Sequence, residues 1–434
     1  ILILGKDSRE FSPTLYDLLV YRSIKLLSSI SYYVSDFFEQ KPLTNDKLFA
    51  PADEFVQLSL PEEPYNCDQY IIRLYQSLLQ VQFNSGQKNT LLWANLQRQN
   101  FVSTHITSVN ASSLYEKALF ELNEEYRNDP LRVEILHTLA QLYLQKNIER
   151  LKSKIHIENP ENPTKSEEEK ETRKALRLCQ EGIRLFPHYF RINILKDLET
   201  TIKRSRVSVN LLQTVYPGKD QIIHVNYKNT SSIKFELYKL NVKMNDYLTG
   251  TSKAYPKEKI STRSYKLPSW LIAYDTTFQI PISRIGLYEL IISSQGNTLE
   301  KDTLYFSSSH FAGFPRQIKK NTNSLLVCDM ESGKPIPGAT VNIYNRTGNE
   351  TYQYISQYRT DKYGMASIPT DHRNTLCFQI SSGEDTYGAV HYLPSYYSNY
   401  QNPTQLSEVN LFTDRAIYRP GQTIYFCGIA WEAN

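Results

Sequence analysis

The stretch "VSVNLLQTVYPGKDQIIHVNYKNTSSIKFELYKL", residues 207–240, marks a change of pattern in this chain. Apolar and polar residues alternate along it, which is the period of a β-strand with one buried face. Pro217-Gly218 and the run Asn229-Thr230-Ser231-Ser232 interrupt the alternation with residues that favour turns. The stretch therefore predicts antiparallel strands joined by short turns.

Strand patterns of the same kind continue downstream. The segments "TTFQIPI" (276–282), "GLYELIISS" (286–294) and "TLYFSSS" (303–309) carry the first series to about residue 309. Strands at this regular spacing indicate a β-sandwich. A second series runs from about residue 315 to residue 400. We therefore predict one β-sandwich over residues 205–313 and another over residues 314–405.

The first half of the chain has a helical period instead. Ser12-Pro13 suits the N-cap and first position of a helix. The segments at 114–144 and 174–199 resemble each other, since each has an Ala-Leu helix, a proline and a second apolar helix. This order is typical of tetratricopeptide-like helical hairpins, and a generic stack of helix pairs is the alternative. Residues 1–204 are predicted to be α-helical, with helices at 70–82, 91–102, 112–127, 131–146, 168–185 and 189–203.

The predicted fold class is thus a multidomain α + β chain, with an N-terminal helical region followed by antiparallel β-sandwich domains. A length of 434 residues fits about three domains. Lys and Arg number 49 against 45 Asp and Glu, and no basic block stands out, so nucleic acid is not favoured as a partner. No apolar run reaches the roughly 18 residues that span a bilayer, so no transmembrane segment is predicted.

Catalytic and cofactor motifs are not found in the sequence. The eight histidines are scattered, and there is no HExxH, GxSxG, P-loop or dinucleotide fingerprint. The five cysteines have no metal-binding spacing. We expect Cys328 and Cys377 to be buried free thiols, with a disulfide between them as the alternative. The sequence therefore predicts no enzyme site, no metal site and no cofactor.

Turn residues punctuate the second β-unit. In "DMESGKPIPGATVNIYN" (329–345) Asp329 ends a strand, and Gly333 and Gly338 follow prolines or polar residues at two turns. In "TDKYGMASIP" (360–369) Asp361 and Gly364 form another tight corner. We interpret all of these, with Pro217 and Gly218, as structural turn residues. The pattern resembles the prealbumin-type sandwich of carboxypeptidase regulatory-like modules and macroglobulin domains, which implies a fold and no activity.

The segment "TDRAIYRPGQTIYFCGIA", residues 413–430, carries a more specific resemblance. It resembles the start of the second macroglobulin domain in bacterial α2-macroglobulin-like proteins. The matching residues, which we interpret as structural, are Thr413, Asp414, Arg415, Tyr418, Arg419, Pro420, Gly421 and Gln422. "TVYPGKDQIIHVNY" (214–227) repeats the order of an aromatic residue, Pro-Gly and a strand. The segment at 12–27 is similar to the helical leader of Bacteroidetes members of this family.

The resemblance implies a non-catalytic N-terminal scaffold of a large α2-macroglobulin-like protein that binds or traps proteases. Its partners would be proteases, and its location periplasmic or extracellular, with a lipid anchor to the cell envelope as an option. The Cys-x-Glu-Gln thioester of many family members does not occur in this chain. The alternative is an envelope or cell-surface assembly protein that recruits another envelope protein through its helices.

Both ends of the chain look trimmed. It starts Ile-Leu-Ile-Leu-Gly, without Met or a basic segment, so we do not expect this end to report targeting. Residues 406–434 are predicted to be the truncated first hairpin of a further macroglobulin domain. Because exposed apolar strands are adhesive, we expect residues 411–434 to pack on the preceding sandwich, to pair with a neighbouring chain or to be poorly ordered.

Overall fold

The structure is a computed structural model, and the predicted fold class is confirmed: helices fill the N-terminal region and antiparallel sheets follow. The residues that it describes are 8–35, 41–61, 65–154, 169–250, 255–296, 299–319, 322–347, 351–370, 375–388, 390–394, 406–413 and 423–433. The division into four domains and the tetratricopeptide-like repeat stay predictions.

The helices of the described N-terminal region lie close to their predicted positions. A 3₁₀ turn at Asp46–Phe49 precedes α3. The helices are α1 (Ser8–Phe11), α2 (Leu15–Ser35), α3 (Ala52–Phe55), α4 (Cys67–Ser85), α5 (Lys88–His105), α6 (Ala111–Glu125), α7 (Arg132–Lys154), α8 (Lys170–Leu185) and α9 (Asn193–Lys203).

Helix α2 begins two residues later than predicted. Thr14, and not Ser12, caps it: the Thr14 amide donates to Asp17 Oδ2 (2.9 Å), and the Asp17 amide donates to Thr14 Oγ1 (3.1 Å). This reciprocal pair is a capping box, which satisfies two amides at once and so outcompetes a lone serine. The Asp17 carboxylate also accepts from Gln82 Nε2 (2.6 Å), which ties the start of α2 to α4.

One continuous apolar core joins these helices. It includes Ile71 and Leu78 of α4, Val102 of α5 and Leu136 of α7, all fully buried. Gly182 of α8 packs so closely that a Cβ there would overlap Leu195 of α9. The 3.6-residue period therefore places the apolar faces correctly, and Gly182 permits a close contact between α8 and α9.

The helical domain contacts the first sheet pair through buried polar groups. Glu169, just before α8, is buried and accepts a hydrogen bond from the Leu271 amide. Asn229, which adopts a left-handed φ of 50°, donates to the Ile202 carbonyl at the end of α9 (3.0 Å). Ser205 Oγ donates to the Asn229 carbonyl (2.9 Å), so the connection from helix to strand is held from both sides.

The first sandwich packs a three-stranded sheet against a five-stranded one. Their orders are β1-β3-β6 and β2-β8-β7-β4-β5, antiparallel except for the short parallel pair β2–β8. Inward residues such as Ile223, Phe235 and Leu290 form its core. The strands are β1 (Arg206–Leu211), β2 (Thr214–Val215), β3 (Asp220–Lys228), β4 (Thr230–Leu240), β5 (Lys257–Lys266), β6 (Tyr274–Pro281), β7 (Gly286–Gly296) and β8 (Leu299–Ser308), with helix α10 (Met244–Leu248) between β4 and β5.

The second sandwich packs sheet β13-β10-β9 against sheet β12-β11-β14-β15. Val327, Val341, Ile368 and Phe378 are fully buried between them. Its strands are β9 (Phe311–Lys319), β10 (Thr322–Asp329), β11 (Thr340–Arg346), β12 (Tyr352–Arg359), β13 (Met365–Pro369), β14 (Leu376–Ser381) and β15 (His391–Tyr392).

Strands β16 (Leu406–Thr413) and β17 (Phe426–Ala433) form a separate two-stranded antiparallel sheet. Thr413 pairs with Phe426 at the closed end. Ile424, Phe426 and Ile429 are exposed by 52%, 71% and 58%. β16 and β17 therefore pair within the predicted hairpin at 406–434, and the side chains of Ile424, Phe426 and Ile429 lie largely in solvent.

Candidate functional site at the junction of the two sandwiches

A buried carboxylate holds the connection between the two sandwiches. Ser309 and His310 link β8 to β9, and the carboxylate that binds them belongs to Asp385, which follows β14 and is only 5% exposed. Asp385 Oδ2 accepts from the His310 amide (2.8 Å) and from Ser309 Oγ (3.1 Å), and lies 2.9 Å from His310 Nδ1. Three contacts to one oxygen fix the direction in which the chain leaves the first sandwich.

The two predicted turns of the sandwiches meet beside this connection. The Tyr216 hydroxyl donates to Asp329 Oδ2 (3.4 Å), and Lys219 Nζ lies 2.7 Å from Glu331 Oε1. Between Tyr216 and Lys219 stand Pro217 and Gly218, the turn residues predicted from the sequence. Residues that are far apart in the chain are thus brought together, and the turn of one sandwich rests on the turn of the next.

Local backbone geometry explains why these turns have the residues they have. Gly218 has a φ of +86°, and its amide donates to the Ile282 carbonyl (2.7 Å). Gly333 has a φ of +68°, and its amide donates to the Asp329 carbonyl (2.9 Å). An L-residue with a side chain is strained at such φ values, so glycine suits both corners.

Asp329 organises its own turn as well as the junction. Its Oδ1 accepts from the Ser332 amide (2.7 Å), the Ser332 hydroxyl (2.7 Å) and the Glu331 amide (3.2 Å). These hydrogen bonds, the Ser332 amide first, lower the pKa of the Asp329 carboxyl below its ordinary value. The Tyr216 ring meets the His310 imidazole edge-on, with centroids 5.1 Å apart, which joins this turn to the Asp385 contacts.

The other predicted turn residues lie inside the second sandwich. Asp361 Oδ1 accepts from the amides of Tyr363 (2.8 Å) and Met365 (2.9 Å), and Gly364 has a φ of +71°. The Gly338 amide donates to the Thr360 carbonyl (3.0 Å). These residues close corners of the sandwich, and the contacts described do not bring them to the junction.

A second contact between the sandwiches is apolar, and the sequence did not predict it. Helix α10 packs against the second sandwich, where Met244, Leu248, Leu287 and Tyr344 form a buried cluster. The Tyr344 hydroxyl donates to Asn245 Oδ1 (3.0 Å). Five helical residues are too few to show a hydrophobic period, so no sequence signal marks α10 as an interdomain element.

Next to this cluster lies a cleft of about 600 Å³ with residues of both sandwiches in its walls. Tyr247, Tyr255 and Tyr305 supply much of the lining, with ring centroids of Tyr247 5.7 Å from each of the other two. Glu289 accepts from the Tyr305 hydroxyl (3.2 Å) and from Lys257 Nζ (2.5 Å). These three of the 32 tyrosines of the chain thus line a cleft between the sandwiches.

The chemistry of the junction is that of a structural contact. Ser309, His310 and Asp385 do not form a catalytic triad, because the single hydroxyl hydrogen of Ser309 goes to the carboxylate and the imidazole does not receive it. Among the described residues, no three His, Cys, Asp or Glu side chains lie close enough together to hold a metal ion.

The cysteines are free thiols, and the buried ones are held protonated. Burial raises the pKa of Cys179 to about 12 and that of Cys377 to about 11, and it also raises the pKa of Cys328. Because the thiolate is the reactive form, these groups are inert near neutral pH. Cys328 and Cys377 are therefore buried free thiols, and the disulfide alternative is not formed.

Most of the motif at 413–422 lies outside the described residues. Thr413 is the last residue of β16. The remaining motif residues fall in the undescribed part of the chain: Asp414, Arg415, Tyr418, Arg419, Pro420, Gly421 and Gln422. Their structural roles stay predictions. In the part of the chain that the structure describes, no helix has the length and apolar character needed to cross a membrane.

The fold and the junction define the class of this protein: a helical domain followed by β-sandwiches in direct contact. No protein-family model and no curated protein matches the chain. Among solved structures, it is similar to native alpha-2-macroglobulin from Escherichia coli spanning domains MG0-NIE-MG1. That likeness has a TM-score of 0.34 and 13% identity over 44% of this chain and 64% of that chain.

Two further structures show lower likeness. The native conformation of E. coli alpha-2-macroglobulin matches with a TM-score of 0.21 and 11% identity, over 52% of this chain and 18% of that chain. Red sea bream transglutaminase matches with a TM-score of 0.21 and 14% identity, over 50% of this chain and 35% of that chain. The chain therefore spans less than two thirds of each structure, and the proposals below rest on its own residues.

Proposed function

We propose that this chain is a non-catalytic scaffold portion of a larger α2-macroglobulin-like protein that binds or entraps proteases. The observation that carries the proposal is the junction between the sandwiches. Its Tyr216-Pro217-Gly218 turn resembles the macroglobulin-like motif at Tyr418-Arg419-Pro420-Gly421, in which one arginine separates the aromatic residue from Pro-Gly. In the first sandwich this turn contacts the next sandwich through Tyr216 and Lys219, and a chain of repeated sandwiches would use such a contact again.

The chemistry of the described residues supports a scaffold role. The junction residues donate and accept within the fold, and the buried thiols are protonated. In this proposal the helices and the first sandwiches position later domains, which contact the protease. We place the protein in the periplasm or outside the cell, where such proteases are met, with a lipid anchor as an option.

The experiment mixes the full-length protein with a panel of endoproteases. We expect cleavage of a large protein substrate to fall while cleavage of a small peptide continues, because an entrapped protease stays active toward what can reach it. The 434-residue chain alone is the matched control and is expected to leave both reactions unchanged. The proposal of protease binding is wrong if every protease still cleaves the large substrate at the same rate and no complex is recovered.

One observation favours the alternative, an envelope assembly protein. Leu15, Leu19 and Leu26 lie on one face of α2 and are exposed by 64%, 56% and 59%. Such a stripe suits contact with another protein. In this case the triple variant Leu15→Glu/Leu19→Glu/Leu26→Glu loses association with the cell-envelope fraction. If the full-length protein binds proteases and the triple variant still associates with the cell-envelope fraction, the alternative is wrong.

A further inference from the structure

A cavity of about 390 Å³ lies inside the helical domain, away from the sandwich junction. Its walls come from the segment around α3, from α5 and from the second half of α6. Phe49, Leu92 and Leu122 give it an apolar lining. Its volume lies within the roughly 300–1,000 Å³ that is typical of small-molecule and side-chain pockets.

The polar groups that line the cavity are mainly acceptors. Asp53, Glu121 and Glu125 contribute three carboxylates, and none of the described lining residues is Lys, Arg or His. Partial burial raises the pKa of Glu125, and the negative charge of the nearby Asp53 raises it further. All three are exposed residues, so negative charge is concentrated at the open rim of an apolar cavity, where a cation would be favourable.

Gln99 gives an independent sign that a donor is missing. It lines the cavity and is only 1% exposed. Its Nε2 donates to the Phe49 carbonyl (3.2 Å), which fixes the orientation of the amide because a carbonyl needs a donor. Its Oε1 is then left as a buried acceptor with no hydrogen-bond partner among the described residues. Such an acceptor costs stability until a donor reaches it.

Of the positive groups near the cavity, Lys117 pairs with Glu121 (3.7 Å), so the proposal relies on Asp53 and Glu125. Arg98 is fully buried. It donates to the carbonyls of Leu48 and Ala50 (2.9 Å each) and to Asn95 Oδ1 (2.6 Å), and so stabilises the wall of the cavity. Lys88 acts on Glu125 only as a smaller opposing charge. The cavity itself therefore presents acceptors and negative charge within an apolar lining.

We propose that this cavity binds an organic cation of the lysine or arginine side-chain type, an ammonium or guanidinium on an aliphatic stem. The stem packs on the apolar lining, as such stems do on protein surfaces. The N–H groups reach the carboxylates of Asp53 and Glu125. The proposal is independent of the protease-binding function, and either one stands if the other fails.

The test is calorimetric titration of the 434-residue chain with Nα-acetyl-lysine amide and Nα-acetyl-arginine amide. Nα-acetyl-norleucine amide is the neutral control, and spermidine represents a free polyamine. We expect the cations to bind at least about tenfold more tightly than norleucine amide, since their positive charge faces the carboxylates at the rim of the cavity. Tighter binding of spermidine than of both amides would assign the site to free polyamines and would still support a cation site.

Variants separate the site from general surface charge. Glu125→Gln and Asp53→Asn are each expected to weaken cation binding about tenfold and to leave the thermal midpoint equal or higher, because each removes like-charge repulsion. Glu124→Gln is the matched control, since Glu124 is also exposed but pairs with Arg127 (3.6 Å) and does not line the cavity. Any of three results would overturn the proposal. The cations bind no more tightly than norleucine amide, Glu124→Gln weakens binding as much as Glu125→Gln does, or no cation binds at millimolar concentration.

Discussion

The sandwich junction and the terminal hairpin share a similar sequence, an aromatic residue followed by Pro-Gly and a strand, and differ in what covers that strand. At the junction, the turn at Pro217-Gly218 leads into β3, whose apolar residues Ile223 and Val225 are buried. In the hairpin, the Pro420-Gly421 sequence precedes β17, whose Phe426 is exposed by 71%. A strand follows the pattern in both regions, and the opposing sheet covers only the first.

The largest expected difference between the two regions comes from removing an aromatic ring. Tyr344 is fully buried in the cluster around α10, so Tyr344→Ala is expected to cost about 3–5 kcal/mol of unfolding free energy. Phe426→Ala in the hairpin is the matched control, expected to change it by less than about 0.5 kcal/mol. Urea unfolding measures both. Equal losses would mean that the hairpin is buried in solution.

The buried carboxylate of the connection should come next. Asp385→Ala leaves the Ser309 hydroxyl and the His310 amide without their acceptor, which is expected to cost about 1–3 kcal/mol. Glu384→Ala, at the exposed neighbouring position, is the control and should have little effect. If the two variants unfold at the same urea concentration, the contacts of Asp385 do not stabilise the junction.

A smaller effect is expected from the turn glycines. Nothing lies within 4 Å of a Cβ built on Gly218, so Gly218→Ala adds only the backbone strain of a positive φ, about 1–2 kcal/mol. Gly421→Ala is the same change in the second copy of the pattern, outside the described residues. Because Phe426 and Ile429 of the hairpin are exposed, its effect on the main unfolding transition should be smaller. The reverse order would contradict the comparison.

The smallest effect is pH-dependent and involves Asp329. Its folded-state pKa is lowered, so its contribution to stability is present above its unfolded pKa, about 3.9, and is lost as pH falls through the lower folded value. The difference in unfolding free energy between the wild type and Asp329→Asn should therefore shrink below about pH 4. A difference that stays constant from pH 6 to pH 2.5 would show that the carboxylate charge does not matter.

The sequence predicted local structure well because local structure depends on neighbouring residues. The positive φ at Gly218 and Gly333 follows from turn chemistry within four residues. The start of α2 was misplaced because Ser12 and Thr14 are both good caps, and only Asp17 decides between them. A search for Thr-x-x-Asp would have found it.

The contacts between domains could not be predicted in this way. Tyr216 and Asp329 meet only because two separately folded sandwiches take one relative position, which no local pattern encodes. The same holds for the cavity of the helical domain, where Asp53 and Glu125 come from different helices. Buried polar groups with long-range partners are the features that a single sequence conceals.

The central claim is that the two sandwiches are held as a fixed pair. Spin labels at Ser264→Cys on β5 and Gln353→Cys on β12, with the exposed Cys427 changed to Ser, allow their separation to be measured by double electron–electron resonance in the 434-residue chain. We predict one narrow distance distribution, which broadens in the Tyr344→Ala and Asp385→Ala backgrounds. A broad distribution in the otherwise unaltered chain would contradict the account.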